Sequence, residues 1–201
     1  MTTHRLHTAH PRNFEDNRFV YPVLSRRSEG ISVGVNLNPD KICNFDCIYC
    51  QVDRTTSPLY RQVDLNRLES ELRSLLEDAA SGVLFNHPTF QDVPEDLKRI
   101  NDIAFSGDGE PTTYPEFNAV VNRSAAIKQE LGPEDVKLIV ITNGTRFHRP
   151  EVQKALETMH RHNDEIWAKL DAGTAPYYDL VERTRISFDT VVQNIQNAAT
   201  K

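Results

Sequence analysis

Cysteine is scarce: there are three in 201 residues, and all fall within eight positions, at Cys43, Cys47 and Cys50. An odd number packed this tightly is a poor disulfide framework, which excludes the disulfide-stapled secreted scaffolds. Long apolar runs are missing too. No window approaches the ~18 uninterrupted apolar residues of a membrane span, and residues 1–11 are polar and His-rich rather than a signal peptide. A cytoplasmic location with no membrane contact is the expectation. Positive charge is in short supply, Lys+Arg 23 against Asp+Glu 29 for a net charge of −6. That excludes wholesale coating of a nucleic acid backbone, though not a local basic patch. The basic excess sits at the entry, where residues 1–30 hold five Arg against Glu15, Asp16 and Glu29.

What is present, 38% hydrophobic and 26% charged residues, suits one domain with an ordinary core. Residues 1–30 show no sustained period and contain Pro11, Pro22 and Gly30, so they read as an irregular extension. His4, His7 and His10 in that lead read as adventitious metal binders. Alternation predicts a strand over 32–38, followed by the cysteine loop. Leu65, Leu68, Leu72, Leu75 and Leu76 recur at helical spacing behind Asp64, a potential N-cap. Residues 81–99 read as an insertion with a helical turn at 95–99. Further strands are predicted over 100–106, 136–142 and 165–171. Helices are predicted from Pro115 to about residue 130, over 150–161, 177–182 and 188–199.

Strands alternating with helices predict parallel pairing, the α/β class. Functional residues should gather beyond the carboxyl ends of the strands. They do: the cysteines follow the first strand, Gly109-Glu110-Pro111 the second, Thr142-Asn143 ends the third, and Lys169 with Asp171 ends the fourth. A period of two places Trp167, Lys169 and Asp171 on one face and Ile166, Ala168 and Leu170 on the other, which should face the helices. With Asn36 and Asn38 also pointing inward, the interior becomes a polar lumen suited to a ligand.

Cys43-x3-Cys47-x2-Cys50 offers three thiolates from one loop and no fourth cysteine. On a 4Fe-4S cluster that leaves one iron open to a substrate or cofactor. On zinc a histidine would normally close the site, but the nearest, His87, is 37 residues on. Both metals remain open from spacing alone.

The segment Cys43-Asn44-Phe45-Asp46-Cys47-Ile48-Tyr49-Cys50 resembles the cluster loop of the radical S-adenosyl-L-methionine (SAM) superfamily. That resemblance implies a 4Fe-4S cluster on Cys43, Cys47 and Cys50, with SAM chelating the fourth iron. A reduced cluster then cleaves SAM to a 5'-deoxyadenosyl radical that abstracts hydrogen from a substrate, so an oxidoreductase or transferase is implied. A one-electron donor of flavodoxin or ferredoxin type is implied with it. Carried over to this sequence, Gly107, Gly109, Glu110 and Pro111 match the glycine-rich segment that binds the SAM amino group. The match departs at Asp108, where two adjacent glycines are commoner. Tyr49 matches the aromatic beside the adenine, with packing inside the loop as the plainer role. Asn143 matches the strand-three ending, although Asn-Gly is also simply a good turn. Lys169 and Asp171 match the residues that touch the ribose or carboxylate of SAM; a salt bridge across the lumen is the alternative.

Within the superfamily, Gly34-Val35-Asn36-Leu37, Ser106 to Thr112 and Trp167 to Gly173 are similar to the iron-sulfur oxidoreductase branch related to wyosine-base formation, which makes a tRNA base a possible substrate. The family fold is a partial TIM-type (β/α) barrel of six βα units. Only four are countable here, so residues 31–201 read as a core domain truncated at the C-terminus, its last strand an exposed edge. The other reading is a zinc- or cluster-binding RNA interaction module without catalysis, with Arg12, Arg18, Arg26 and Arg27 as a phosphate-contacting arm.

Overall fold

Residues 14–200 are described by the computed structural model; His4, His7, His10 and Arg12 lie outside them. Five strands form one sheet in sequential order: β1 (Val20–Ser25), β2 (Gly30–Val35), β3 (Ile100–Phe105), β4 (Lys137–Thr142) and β5 (Asp164–Ala168). Strands β2 to β5 run parallel, joined through α1 (Leu65–Ala80), α3 (Phe117–Leu131) and α4 (Pro150–His160). A short α2 (Val83–Asn86) lies in the 81–99 insertion, and α5 (Ala175–Glu182) and α6 (Phe188–Ala199) follow β5. This mostly parallel sheet with alternating helices is the α/β architecture of a partial TIM-type barrel. Among the described residues no helix is long and apolar enough to cross a membrane.

Sequence spacing accounts for the core. One face of the sheet presents Val33, Val35, Ile103, Phe105, Leu138 and Val140, and these pack with Leu68, Leu72, Leu75, Val120, Val121, Ala155 and Met159 of the helices. Asp64 caps α1 as its position suggests, its carboxylate accepting from the N–H groups of Asn66 and Arg67 at 3.0 and 3.1 Å.

Two expectations are corrected. The reading of residues 1–30 as irregular is overturned over 20–25 by β1, which pairs antiparallel with β2 along its whole length, from Val20 opposite Val35 to Ser25 opposite Gly30. The boundary at residue 30 falls between two paired strands, and the sheet has five strands, not four. Pro22 disguised the strand, but an edge strand tolerates a residue with no N–H to donate. Its entry is fixed from a distance: the buried carboxylate of Glu71 on α1 accepts from the N–H groups of Arg18, Phe19 and Val20 at 2.9, 2.9 and 3.2 Å, and pairs with Arg67 Nε at 2.7 Å. The second correction concerns the strand expected over 165–171. It ends at Ala168, leaving Lys169 and Asp171 in the loop beyond, although Lys169 N still donates to Thr142 O at 2.8 Å.

The basic arm is also divided. Arg18 stacks on Tyr60 at 4.6 Å, whereas Arg27, in the β1–β2 turn, stands over the Trp167 ring of β5 at 5.3 Å. That turn is tied to the opposite face of the sheet. Ser28 and Ser32 donate their hydroxyls to the buried Asp102 carboxylate, and Trp167 Nε1 donates to Glu165 at 2.8 Å. Burial pushes the Asp102 carboxyl up, opposed by the two hydroxyl hydrogen bonds. The native chain thus holds this proton more tightly than the unfolded one, so this group's contribution to stability falls as pH rises from the ordinary Asp range through the raised value. Asp102→Asn is expected to remove that slope. In urea unfolding at neutral and at mildly acidic pH, the wild type should gain on the variant upon acidification; parallel curves would refute the assignment.

Candidate active site

The loop after β2 carries the three cysteines, and a small second core holds it in place. Phe45 is buried against Ala172, Tyr178 and Val191, with its ring edge-on to Tyr178 at 5.9 Å. Cys43 and Cys47 pack on the same cluster. The end of α5 clamps the loop backbone: Asp46 N donates to Glu182 O at 3.1 Å and Ile48 N to Val181 O at 2.9 Å. The Asn44 side chain reaches the tip of β4, donating to Thr145 Oγ1 at 2.8 Å and accepting from Asn143 Nδ2 at 2.9 Å.

The glycine-rich segment after β3 lies hard against this loop. A Cβ on Gly109 would stand 2.2 Å from Ile42 O, and one on Gly107 would stand 2.3 Å from Asn36 Oδ1. The first is with backbone, so Gly109 is required by close approach, whereas a side chain at 107 would force the Asn36 side chain to move. Behind them Glu110 is buried and turned into the protein. One of its oxygens accepts from Thr112 N and from Thr142 Oγ1, at 3.1 and 2.6 Å, and the other from Asn143 N at 2.7 Å. Burial pushes its carboxyl up against these hydrogen bonds. Pro111 is also buried, opening a 3-10 turn over Pro111–Thr113. Glu110 and Pro111 act on the site as struts that join the glycine segment to the end of β4.

On the far side Tyr49, Lys169 and Asp171 meet. Tyr49 donates its hydroxyl to Asp171, Lys169 Nζ stands 4.5 Å over the Tyr49 ring, and Lys169 pairs with Asp171 at 3.4 Å. The two thus form a salt bridge within one loop rather than across the lumen. The buried Glu182 carboxylate accepts from Cys47 Sγ at 2.8 Å and lies 3.3 Å from the Tyr49 hydroxyl oxygen. Burial, then this carboxylate, pushes the Cys47 thiol up to about 12. Burial likewise raises Cys43, and partial burial with the Asp171 hydrogen bond raises Tyr49.

These segments enclose one cavity of about 530 Å³. All three cysteines line it, together with Tyr49, Gly107, Gly109, Glu110, Asn143 and Lys169. Asp171 lines an adjoining cavity of about 330 Å³ that shares Tyr49 and Lys169, and Pro111 lines neither. Among the described residues no three His, Cys, Asp or Glu side chains gather around a point that one metal ion would occupy; what the thiols share is the cavity. A further cavity of about 480 Å³ between α4 and α6 contains none of these residues. Sequence reasoning missed Glu182 and Tyr21, and singled out Asp108 only as a departure from the pattern; all three line the site. Glu182 meets Cys47 across 135 positions and leaves no local trace. Tyr21 lies on Gly34 and donates to Ser106 O at 3.4 Å; its alternation within β1 was the available signal.

The chain is similar to a UPF0026 protein of Helicobacter pylori strain 26695, 32% identical over 163 residues, covering 81% of this chain and 45% of that protein. A UPF0026 protein of Methanocaldococcus jannaschii is 29% identical over 167 residues, covering 80% and 44%. The chain thus spans less than half the length of these relatives. Among solved structures, TYW1 with a lysine-pyruvate adduct bound aligns over 96% of this chain and 55% of its own, at 17% identity and a TM-score of 0.43. The sequence pattern of the radical SAM superfamily matches residues 37–201. The chain belongs to the radical SAM superfamily, whose members work with a 4Fe-4S cluster and S-adenosyl-L-methionine.

Proposed function

We propose that the chain carries the cofactor half of an enzyme that cleaves SAM reductively and abstracts a hydrogen atom from a substrate. The observation that carries this reading is the close meeting of the cysteine loop and the glycine segment, Gly109 against Ile42 O, around one cavity lined by all three thiols. The donor set fits the group: three thiols on one loop and no fourth cysteine in the sequence leave a position for SAM. When bound, the cluster supplies the single electron that breaks a carbon–sulfur bond of SAM.

The protein's own part is to hold and orient. Cys43, Cys47 and Cys50 ligate as thiolates, so their protons leave on loading. Gly107 and Gly109 let backbone approach the methionyl end of SAM, and Glu110 with Pro111 keeps that segment in register with Asn143. Tyr49 would flank the adenine, and Lys169 and Asp171 would take the polar groups of ribose or carboxylate. Asp171→Ala is expected to retain iron while binding SAM about tenfold more weakly by equilibrium dialysis, the loss of about one hydrogen bond to a charged group; unchanged affinity would remove Asp171 from the site.

A one-electron donor of flavodoxin or ferredoxin type in the cytoplasm completes the reaction, and the wyosine-branch likeness nominates a tRNA base as substrate. The deciding experiment is anaerobic reconstitution with iron and sulfide, addition of dithionite and SAM, and assay of 5'-deoxyadenosine with and without tRNA. Formation of 5'-deoxyadenosine is expected. Salt-dependent tRNA binding with no trace of it would favour the RNA-module reading, and zinc in place of a cluster would overturn the enzyme.

A further inference from the structure

Gln153, Leu156, Glu157 and His160 recur at helical spacing on one face of α4, and Asn194, Asn197 and Ala198 on one face of α6. A pair of stripes made to pack on each other would be apolar; these are half polar, and a cleft of about 480 Å³ lies between them. That volume suits a small molecule, and the cleft shares no lining residue with the cavity of the thiols.

One wall of it is built around a buried amide. Asn194 is 7% exposed. Its Nδ2 donates to Gly144 O and Thr145 O at 3.1 and 3.2 Å and stands 3.4 Å from His148 Nδ1. Turning the amide over would set its oxygen against two carbonyls, so its orientation is fixed. Asn194 Oδ1 has no hydrogen-bond partner among the described residues, yet it is not sealed in the core: it is an acceptor open to the cleft. Gln153 repeats the arrangement from α4. Its Nε2 donates to Phe147 O at 3.1 Å, and its Oε1 accepts from no described residue.

The fixed charges share a sign. Glu157 has no ion pair among the described residues, and Asp164 of β5 stands 3.4 Å from His160 Nδ1. No described lysine or arginine lines the cleft, so a phosphate or carboxylate ligand would find no permanent cation there. Amide oxygens and carboxylates ask instead for N–H donors and positive charge. Phe147, Leu156, Ile166 and Ala198 add apolar surface for the body of such a ligand.

We propose that this cleft binds a small organic ammonium, with an N–H group on Asn194 Oδ1, its charge beside Glu157 and its hydrocarbon body against Phe147, Leu156 and Ile166. The site stands independently of the SAM-binding reading.

The test is an NMR titration of the full, anaerobically reconstituted chain with 2-phenylethylamine, which is protonated at neutral pH. Its neutral and anionic counterparts, 2-phenylethanol and phenylacetate, are titrated alongside. The ammonium should saturate with a Kd of about 1 mM and shift the Asn194 side-chain amide resonance. The alcohol should bind about tenfold more weakly, as for one lost charge-assisted hydrogen bond, and phenylacetate should not saturate. Glu157→Gln, a change on the exposed side of α4, should weaken the ammonium about threefold and leave the alcohol unchanged. Ala198→Phe, which narrows the cleft, should weaken both. Asn194 is left in place because its Nδ2 supports the loop after β4. Equal binding of ammonium and alcohol, with no effect of Glu157→Gln, would overturn the proposal by reducing the cleft to an apolar groove. Shifts confined to residues of the thiol cavity, or no saturation by about 20 mM, would overturn it too. A chain that binds the ammonium in this way but no SAM would fail the SAM-binding reading alone.

Discussion

Cys47→Ala should leave a folded protein that takes up no cluster: after anaerobic reconstitution its bound iron should fall to background and 5'-deoxyadenosine should be undetectable. Three thiols on one loop are the whole cysteine complement, so losing one leaves two protein ligands for a cluster that needs three. The fold should survive. The loop is held by Phe45 in its own small core, on whose edge Cys47 only packs, and by backbone bonds from Asp46 and Ile48 to the end of α5, which do not use the Cys47 side chain. Far-ultraviolet circular dichroism matching the wild type, beside lost iron, is the expected pair of results. Iron uptake at the wild-type level would show that Cys47 is no ligand.

Glu71→Ala is expected to be strongly destabilising, lowering the unfolding free energy by about 4 kcal/mol. The carboxylate accepts from three consecutive backbone N–H groups, two of them buried, and each buried donor left without an acceptor costs roughly 1–3 kcal/mol. Arg67 loses its partner as well. Glu71→Gln, which keeps one acceptor oxygen, should recover part of the loss. Urea unfolding of the three proteins measures the series, and a change below about 1 kcal/mol in the alanine variant would mean that β1 is held by its pairing with β2 alone.

Features whose causes lie close together in the chain are legible in its sequence. The leucine spacing and Asp64 specify α1 and its cap, and the cysteine and glycine segments fall at the carboxyl ends of strands because parallel βα units place them there. Features made by distant partners are not. Glu71 looks like an ordinary helix-surface glutamate until Phe19, 52 positions away, is brought onto it. Asp108 looks like a turn residue until Asn36, 72 positions away, fixes it. β1 is hidden for another reason: its Pro22 and the Ser-Arg-Arg-Ser run after it are breaker signals in a local window, whereas pairing along β2 is a tertiary fact.

The two edges of the sheet are unlike each other. At one, β1 runs against the direction of the rest, carries Pro22 and has its entry bound by Glu71. At the other, β5 has β4 as its one partner among the described residues. The thiols, the glycines and Asn143 all leave strands with neighbours on both sides, while Lys169 leaves the strand with a neighbour on one. A strand added at the β5 border would therefore reach the cavity first at Lys169, while the thiols and glycines stay behind strands paired on both sides.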